Sequence, residues 1–86
     1  MPRYHFNVYY GRADMDVRGS DLPNIQAARS EALKITGAIL ADAASQADFG
    51  EEWRVEVTDD NGLMLFRLDL IIADSPAMAK SGKQDR

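Results

Sequence analysis

Residues 53–70 read WRVEVTDDNGLMLFRLDL and describe a β-hairpin, with an alternating run on each side of one turn. The turn is Asn61-Gly62, the strongest short hairpin signal, because these residue types tolerate the positive φ angles that a two-residue type I′ loop needs. A loop at these two residues fixes the register of the two strands. The register predicts three pairs on one face, namely Val57–Phe66, Val55–Leu68 and Trp53–Leu70.

The opening stretch, residues 3–11, reads RYHFNVYYG and has the same period of two. This alternation predicts a strand with one buried face. The residues of that face are the even-numbered ones, Tyr4, Phe6, Val8 and Tyr10. Gly11-Arg12 then offers a two-residue turn with glycine in its first position, as a type II′ hairpin prefers. We therefore predict a first hairpin in which two apolar pairs meet, Val8–Met15 and Phe6–Val17.

A long helix is predicted between the two hairpins, over residues 24–45. Asp21 or Asn24 can cap its start. Gly37 lies in its middle, and we interpret that glycine as tolerated rather than required. Arg29 lies beside the apolar stripe, and we interpret it as a structural tether whose stem follows the sheet while its guanidinium seeks a carboxylate. The stripe that predicts the buried side of the helix contains Ile25, Ala28, Ala32, Thr36, Ile39, Leu40 and Ala43.

Together these elements predict a two-layer α+β domain of residues 1–73 with the order β-β-α-β-β. The four-stranded, mainly antiparallel sheet has one long helix on one face and an open second face. We favour the strand order 2-1-3-4, which places the aromatic first strand in the middle. The alternative places the third strand beside the second as a parallel crossover. Residues 74–86 have no period and are expected to form a disordered tail.

Three segments resemble the DUF6894 family of small bacterial domains: RYHF at residues 3–6, DLPNIQAARSEAL at 21–33 and EVTDDNGLMLFRL at 56–68. Members of that family run from an MPRYYFH-like strand through an ELPDLAAARAEAL-like helix. The resemblance covers roughly residues 1–70. It implies the same architecture, and it implies no activity, cofactor or site residue, because none is established for the family.

Composition excludes several function classes. The chain has no cysteine, which excludes disulfides, thiolate zinc sites and a cysteine nucleophile. It shows neither the apolar run of a signal peptide nor a stretch near the ~20 apolar residues of a membrane span, so we expect a cytoplasmic protein without membrane association. The formal net charge of −4 has the wrong sign for a phosphate-backbone binder. Tyr9 is the one sheet aromatic predicted on the open face, which makes a poor platform for stacked bases.

The sequence contains no recognisable catalytic or metal-binding motif. His5 is the sole histidine, and it stands in no HxH or HxxxH spacing. There is no GxSxG elbow and no glycine-rich phosphate loop. We therefore expect no enzyme, no catalytic residue, no metal and no cofactor; a site centred on His5 is the remaining enzymatic alternative. Whether the protein binds a small molecule is left open.

The open sheet face and the fourth-strand edge combine polar and apolar residues that suit a protein interface. We predict a non-enzymatic interaction module that self-associates as a homodimer or binds a protein partner. One alternative is an antitoxin-like or other regulatory domain, since a hairpin, a DLP turn and an alanine-rich helix are loosely similar to HicB-type antitoxins. The other is a nucleic-acid-binding domain. The candidate interaction surface consists of His5, Asn7, Tyr9, Leu63, Leu65, Arg67 and Ile71.

Overall fold

The computed structural model describes residues 1–46 and 52–78. Over these residues the chain forms an antiparallel sheet and one long helix, so the predicted α+β class is confirmed. None of the helices in this part of the chain has the length and apolar character that a membrane crossing requires. The elements are β1 (Arg3–Tyr9), β2 (Ala13–Asp14), β3 (Ser20–Asp21), α1 (Ile25–Gln46), β4 (Trp53–Thr58) and β5 (Met64–Leu70).

The strands follow the order β2-β1-β4-β5, and the short strand β3 also pairs with β1. This differs from the predicted four-strand order 2-1-3-4 by one added element, because β3 precedes the helix and the second hairpin is therefore formed by β4 and β5. The four pairings between the described strands are all antiparallel. The aromatic strand β1 lies inside the sheet, and β5 lies at its end.

The register predicted for the second hairpin is confirmed, but its turn is longer than predicted. The carbonyl of Asp59 accepts from the N–H of Gly62 at 3.1 Å, and the N–H of Asp59 donates to the carbonyl of Leu63 at 3.0 Å. The loop is thus residues 60–62, with Gly62 at φ 84° in the left-handed position of a three-residue hairpin. Thr58 pairs with Met64 while the next pair along is Val57–Phe66, so β5 carries one extra residue as a bulge. The longer loop and the bulge compensate each other. The three confirmed pairs are Val57–Phe66, Val55–Leu68 and Trp53–Leu70.

The register predicted for the first hairpin is wrong by one residue. Val8 pairs with Asp14 rather than with Met15, because the loop has three residues, 10–12, instead of two. A one-residue shift moves every side chain of a strand to the other face. Met15 and Val17 are therefore 54% and 86% exposed instead of lying in the core. Since β2 has only two residues, few apolar contacts were available to fix its register.

The helix begins after Asn24, whose side-chain oxygen accepts from the N–H of Ala27 at 2.9 Å. Asn24, not Asp21, is therefore the cap. The predicted stripe faces the sheet, and its small residues Ala28 and Ala32 are completely buried, so the helix lies close against the strands. The core cluster is formed by Tyr4, Phe6, Ala28, Ala32, Val55 and Val57.

The predicted disordered tail, residues 74–86, lies mostly outside the described residues. In its described part, residues 76–78 are helical. The hydroxyl of Ser75 accepts from the N–H of Met78 at 3.2 Å, as an N-cap does.

Candidate functional site

The sheet face opposite the helix carries a shallow bowl of about 430 Å³. Its floor comes from β1 and β4, and its walls come from two segments that follow strands. One wall is residues 15–17, which the observed register of the first hairpin turns outward. The other is the turn at residues 59–62 together with Met64, which the bulge brings to this face. The predicted residues His5, Asn7 and Tyr9 all line this bowl.

Asp16 closes a gap in the pairing of β1. Strand β2 pairs with one end of β1 and β3 with the other, so among the described strands none pairs with the middle of β1 on that side. The Asp16 carboxylate accepts there from the N–H of Phe6 at 3.1 Å and also from the N–H of Gly19 at 3.0 Å. Its own N–H donates to the side-chain oxygen of Asn7 at 2.8 Å. A single side chain thus takes the place of a strand and satisfies a backbone donor that would otherwise be unpaired.

Gly19 allows the segment after Asp16 to lie against β1. Its φ angle is 75°, in the region that favours glycine. A Cβ atom at this position would lie 2.8 Å from Cγ of Arg3 and 2.9 Å from Cε1 of His5. The close approach and the backbone conformation therefore both require glycine here.

His5 connects the two walls of the bowl. Its Nδ1 lies 2.7 Å from the carbonyl oxygen of Asp16, and its Nε2 lies 2.7 Å from Oδ1 of Asp60. Both neighbours are acceptors, so both ring nitrogens donate, and the charged imidazolium is favoured. The pKa of His5 is accordingly raised above 6.5, first by the hydrogen bond to Asp60 and then by the bond to the Asp16 backbone. An imidazole in this state has no lone pair to offer to a metal or to a substrate proton.

The strip of exposed residues expected on β1 is interrupted by burial. Asn7 is only 6% exposed, because residues 15–17 cover it and the Asp16 N–H occupies its side-chain oxygen. Tyr9 is also engaged: the guanidinium carbon of Arg54 lies 4.3 Å from its ring centroid, and its hydroxyl donates to the sulfur of Met15 at 3.6 Å. These residues hold the face together rather than present it as a free polar surface.

The other predicted surface residues lie along β5, away from the bowl. Leu63, Leu65 and Ile71 are 63%, 40% and 65% exposed. Arg67 is also exposed and pairs with Asp69, with its Nε 3.1 Å from Oδ2 of the carboxylate. Sequence reasoning missed two further exposed apolar residues along this strand, Ile72 and Met64, although the unbroken run LML and the final LII were visible; Met64 also lines the bowl. The name β5 edge surface is used below for Leu63, Met64, Leu65, Arg67, Asp69, Ile71 and Ile72.

Arg29 connects the helix to β5, although by a different contact from the one predicted. Its guanidinium carbon lies 5.7 Å from the ring centroid of Phe66, which is a cation–π distance. The sequence had suggested a carboxylate partner. The contact joins a side chain of α1 to a side chain of β5, and the role of Arg29 as a structural tether stays a prediction.

A second groove of about 320 Å³ lies on the helix side, between α1 and the β1–β2 hairpin. Its walls include Val8, Ile35 and Ile39, which also pack against the core. Tyr10 and Trp53 form its end, with ring centroids 5.6 Å apart. We assign this groove to the packing of the helix on the sheet.

Within residues 1–46 and 52–78, no group of three or more His, Cys, Asp or Glu side chains is arranged to hold a metal ion. The family model described as "Domain of unknown function (DUF6894)" matches residues 3–71 of the chain. No curated protein and no solved structure matches the chain.

Proposed function

The chain belongs to the DUF6894 family, and since the description of that family assigns no activity, we propose a function from the geometry of the sheet. The protein is a non-enzymatic interaction module that self-associates through the edge of β5. The observation that carries this proposal is the position of β5: it is a seven-residue strand at the end of the sheet, flanked on both sides by exposed apolar residues.

An end strand presents backbone N–H and C=O groups that another strand can pair with. In the part of the chain that the structure describes, β5 pairs with β4 alone. Proteins that remain monomeric usually shorten, bulge or charge such an edge. Here the bulge lies near the start of β5. The regular remainder of the strand keeps backbone groups on its outer edge that can pair with another strand.

The apolar residues of the β5 edge surface add a hydrophobic contribution. Leu63, Met64 and Leu65 precede the regular part of the strand, and Ile71 and Ile72 follow it. Apolar surface removed from water contributes about 25 cal/mol per Å². A partner strand on this edge would cover apolar residues at both of its ends.

Of the two surfaces that the sequence suggested, the β5 edge suits association better than the open face. The polar groups of the bowl bind one another, as in the contacts of His5 with Asp60 and of Asn7 with Asp16. Breaking such bonds to bind a partner would cost the desolvation of each group. We place this function in the bacterial cytoplasm, with which the cysteine-free composition is compatible.

The experiment is sedimentation velocity over a range of protein concentrations, with Leu65→Asp as the disrupting variant. We expect the wild type to form a dimer whose fraction rises with concentration, and Leu65→Asp to be mainly monomeric. Leu33→Asp is the matched control, because Leu33 is 61% exposed on the helix. The control should dimerise like the wild type, and circular dichroism should show that both variants are folded. A wild-type protein that stays monomeric at every concentration would contradict the proposal.

A further inference from the structure

The sequence of β5 is self-complementary about Leu68. One position to either side stand opposite charges, Arg67 and Asp69. Two positions away stand the apolar residues Phe66 and Leu70, both half-buried on the helix side. Three positions away, both ends are again apolar and exposed, with Leu65 before and Ile71 after.

We propose that two copies of this chain pair antiparallel through β5 in a register centred on Leu68. The inference rests on the proposed function and adds the partner and the register. A twofold axis at Leu68 sets each residue opposite the one equally far away on the other side. Arg67 of each copy then faces Asp69 of the other, so two opposite-charge pairs form across the new edge.

This register also matches the faces of the two sheets. Residues directly opposite in an antiparallel pair project to the same side. Phe66 of one copy meets Leu70 of the other on the helix side, and Leu65 meets Ile71 at the ends of the paired region. The two sheets join into one continuous sheet with both helices on the same face.

Neighbouring registers are less favourable. An axis at Arg67 would set two arginines opposite each other, and an axis at Asp69 would do the same with two carboxylates; like charges in these positions are destabilising. An axis between residues would set an outward side chain opposite an inward one, as Arg67 against Leu68. Among these registers, the one centred on Leu68 alone pairs opposite charges and also keeps apolar residues together.

The regular part of β5 is suited to pairing with a second copy. Phe66–Leu70 pairs with β4 without irregularity, from Val57–Phe66 to Trp53–Leu70. The bulge lies just before Phe66 and therefore limits the new pairing to the regular part and its immediate ends. Arg67 and Asp69 already lie together on the open face, with side chains 51% and 33% exposed, so each is available to a second copy.

Charge exchange tests the register. Arg67→Asp would set two acidic pairs across the axis, and Asp69→Arg would set two basic pairs, so each variant alone should bind itself at least about tenfold more weakly than the wild type. Mixed together, the two variants restore opposite charges at both positions. We expect a heterodimer of near wild-type affinity, detected by native mass spectrometry of chains with tags of different mass. Repulsion within one strand cannot produce this rescue, and urea unfolding of each variant measures it separately.

A cysteine pair gives a second measurement that is independent of charge. The chain has no cysteine of its own. Leu68→Cys should form a disulfide-linked dimer under mild oxidation, because residue 68 faces its own copy at about 5 Å between Cβ atoms. Leu70→Cys is the matched control on the same face, since four residues of offset hold its two copies about 13 Å apart.

The outcomes separate the two proposals. Rescue in the mixture together with a disulfide at position 68 supports the register. A wild-type dimer without rescue, or with a disulfide at position 70 instead, overturns the register while self-association stands. A wild-type monomer at every concentration overturns both.

Discussion

At the scale of single residues, His5 is the group whose interactions depend most directly on pH. Both of its nitrogens contact acceptors, Asp16 and Asp60, and its pKa is raised in the folded protein. A group whose pKa is raised on folding contributes its full stabilisation when the pH is below its unfolded pKa, which is near 6.5 for His5. This contribution is lost as the pH rises through the folded pKa. The protonated imidazole therefore stabilises the connection between the walls of the bowl on the acidic side.

We predict that the free energy of unfolding falls as the pH rises from about 6.5 through the raised folded pKa of His5, because the imidazolium loses its proton there. Urea titrations across that range measure the effect. His5→Gln should flatten the profile, because glutamine keeps an amide but does not titrate. Asp60→Asn should shift the fall to lower pH, since it removes the largest cause of the raised pKa. An unchanged profile in His5→Gln would assign the pH dependence to other groups.

Asp16 is the residue on which the edge of β1 depends. Asp16→Ala removes the acceptors of the Phe6 and Gly19 N–H groups at once. Unpaired, partly buried donors cost roughly 1–3 kcal/mol each, and water recovers part of that cost, so we expect a loss of about 2 kcal/mol. Chemical denaturation measures it. Asp14→Ala is the control, because Asp14 is an exposed carboxylate on the same hairpin and should change stability by under about 0.5 kcal/mol.

At the scale of elements, α1 contains one position at which a substitution should raise the stability of the protein. Gly37 is exposed, and a Cβ atom added there would meet nothing within 4 Å. Alanine is favoured over glycine in a helix interior by about 0.5–1 kcal/mol, so Gly37→Ala should raise the melting temperature by a few degrees. Thermal unfolding followed by circular dichroism gives the comparison. A lower melting temperature would mean that the backbone at Gly37 has a role that the packing does not reveal.

The two hairpins show why one register could be read from the sequence and the other could not. In the second hairpin three apolar pairs together fix the register. A shift of the register by one residue would place Arg67 and Asp69 on the buried face. The loop there has one residue more than predicted, yet the bulge restores the pairing that the apolar pattern demands. The strand β2 is only two residues long, so its apolar neighbours Met15 and Val17 had no comparable influence on the register.

At the scale of the whole molecule, the sequence predicts the α+β architecture and the buried stripe of the helix because both follow from periodicity. The contacts inside the candidate site do not follow from periodicity. The carboxylate of Asp16 substitutes for a strand, and the burial of Asn7 follows from that substitution. Contacts of this kind depend on how separate segments pack together in the folded protein. Neither the hydrophobic period nor secondary-structure propensity predicts them. The aromatic residues Tyr4 and Phe6 of β1 lie in the core, as the alternation along the strand predicts.

The central position of β1 also affects how the protein is made. Its principal neighbour is β4, with Phe6 opposite Val57, so the sheet cannot close until the helix and the strand beyond it have been synthesised. Contacts between residues so distant in sequence slow folding. The chain loses conformational entropy when the intervening loop closes, and the favourable energy of strand pairing is gained only afterwards. Tyr4 and Phe6 are buried in the folded domain, so before β1 pairs with β4 they lack the partners that cover them. Partly folded chains therefore expose these two aromatic residues until β1 has paired with β4, and in that state they are prone to aggregate.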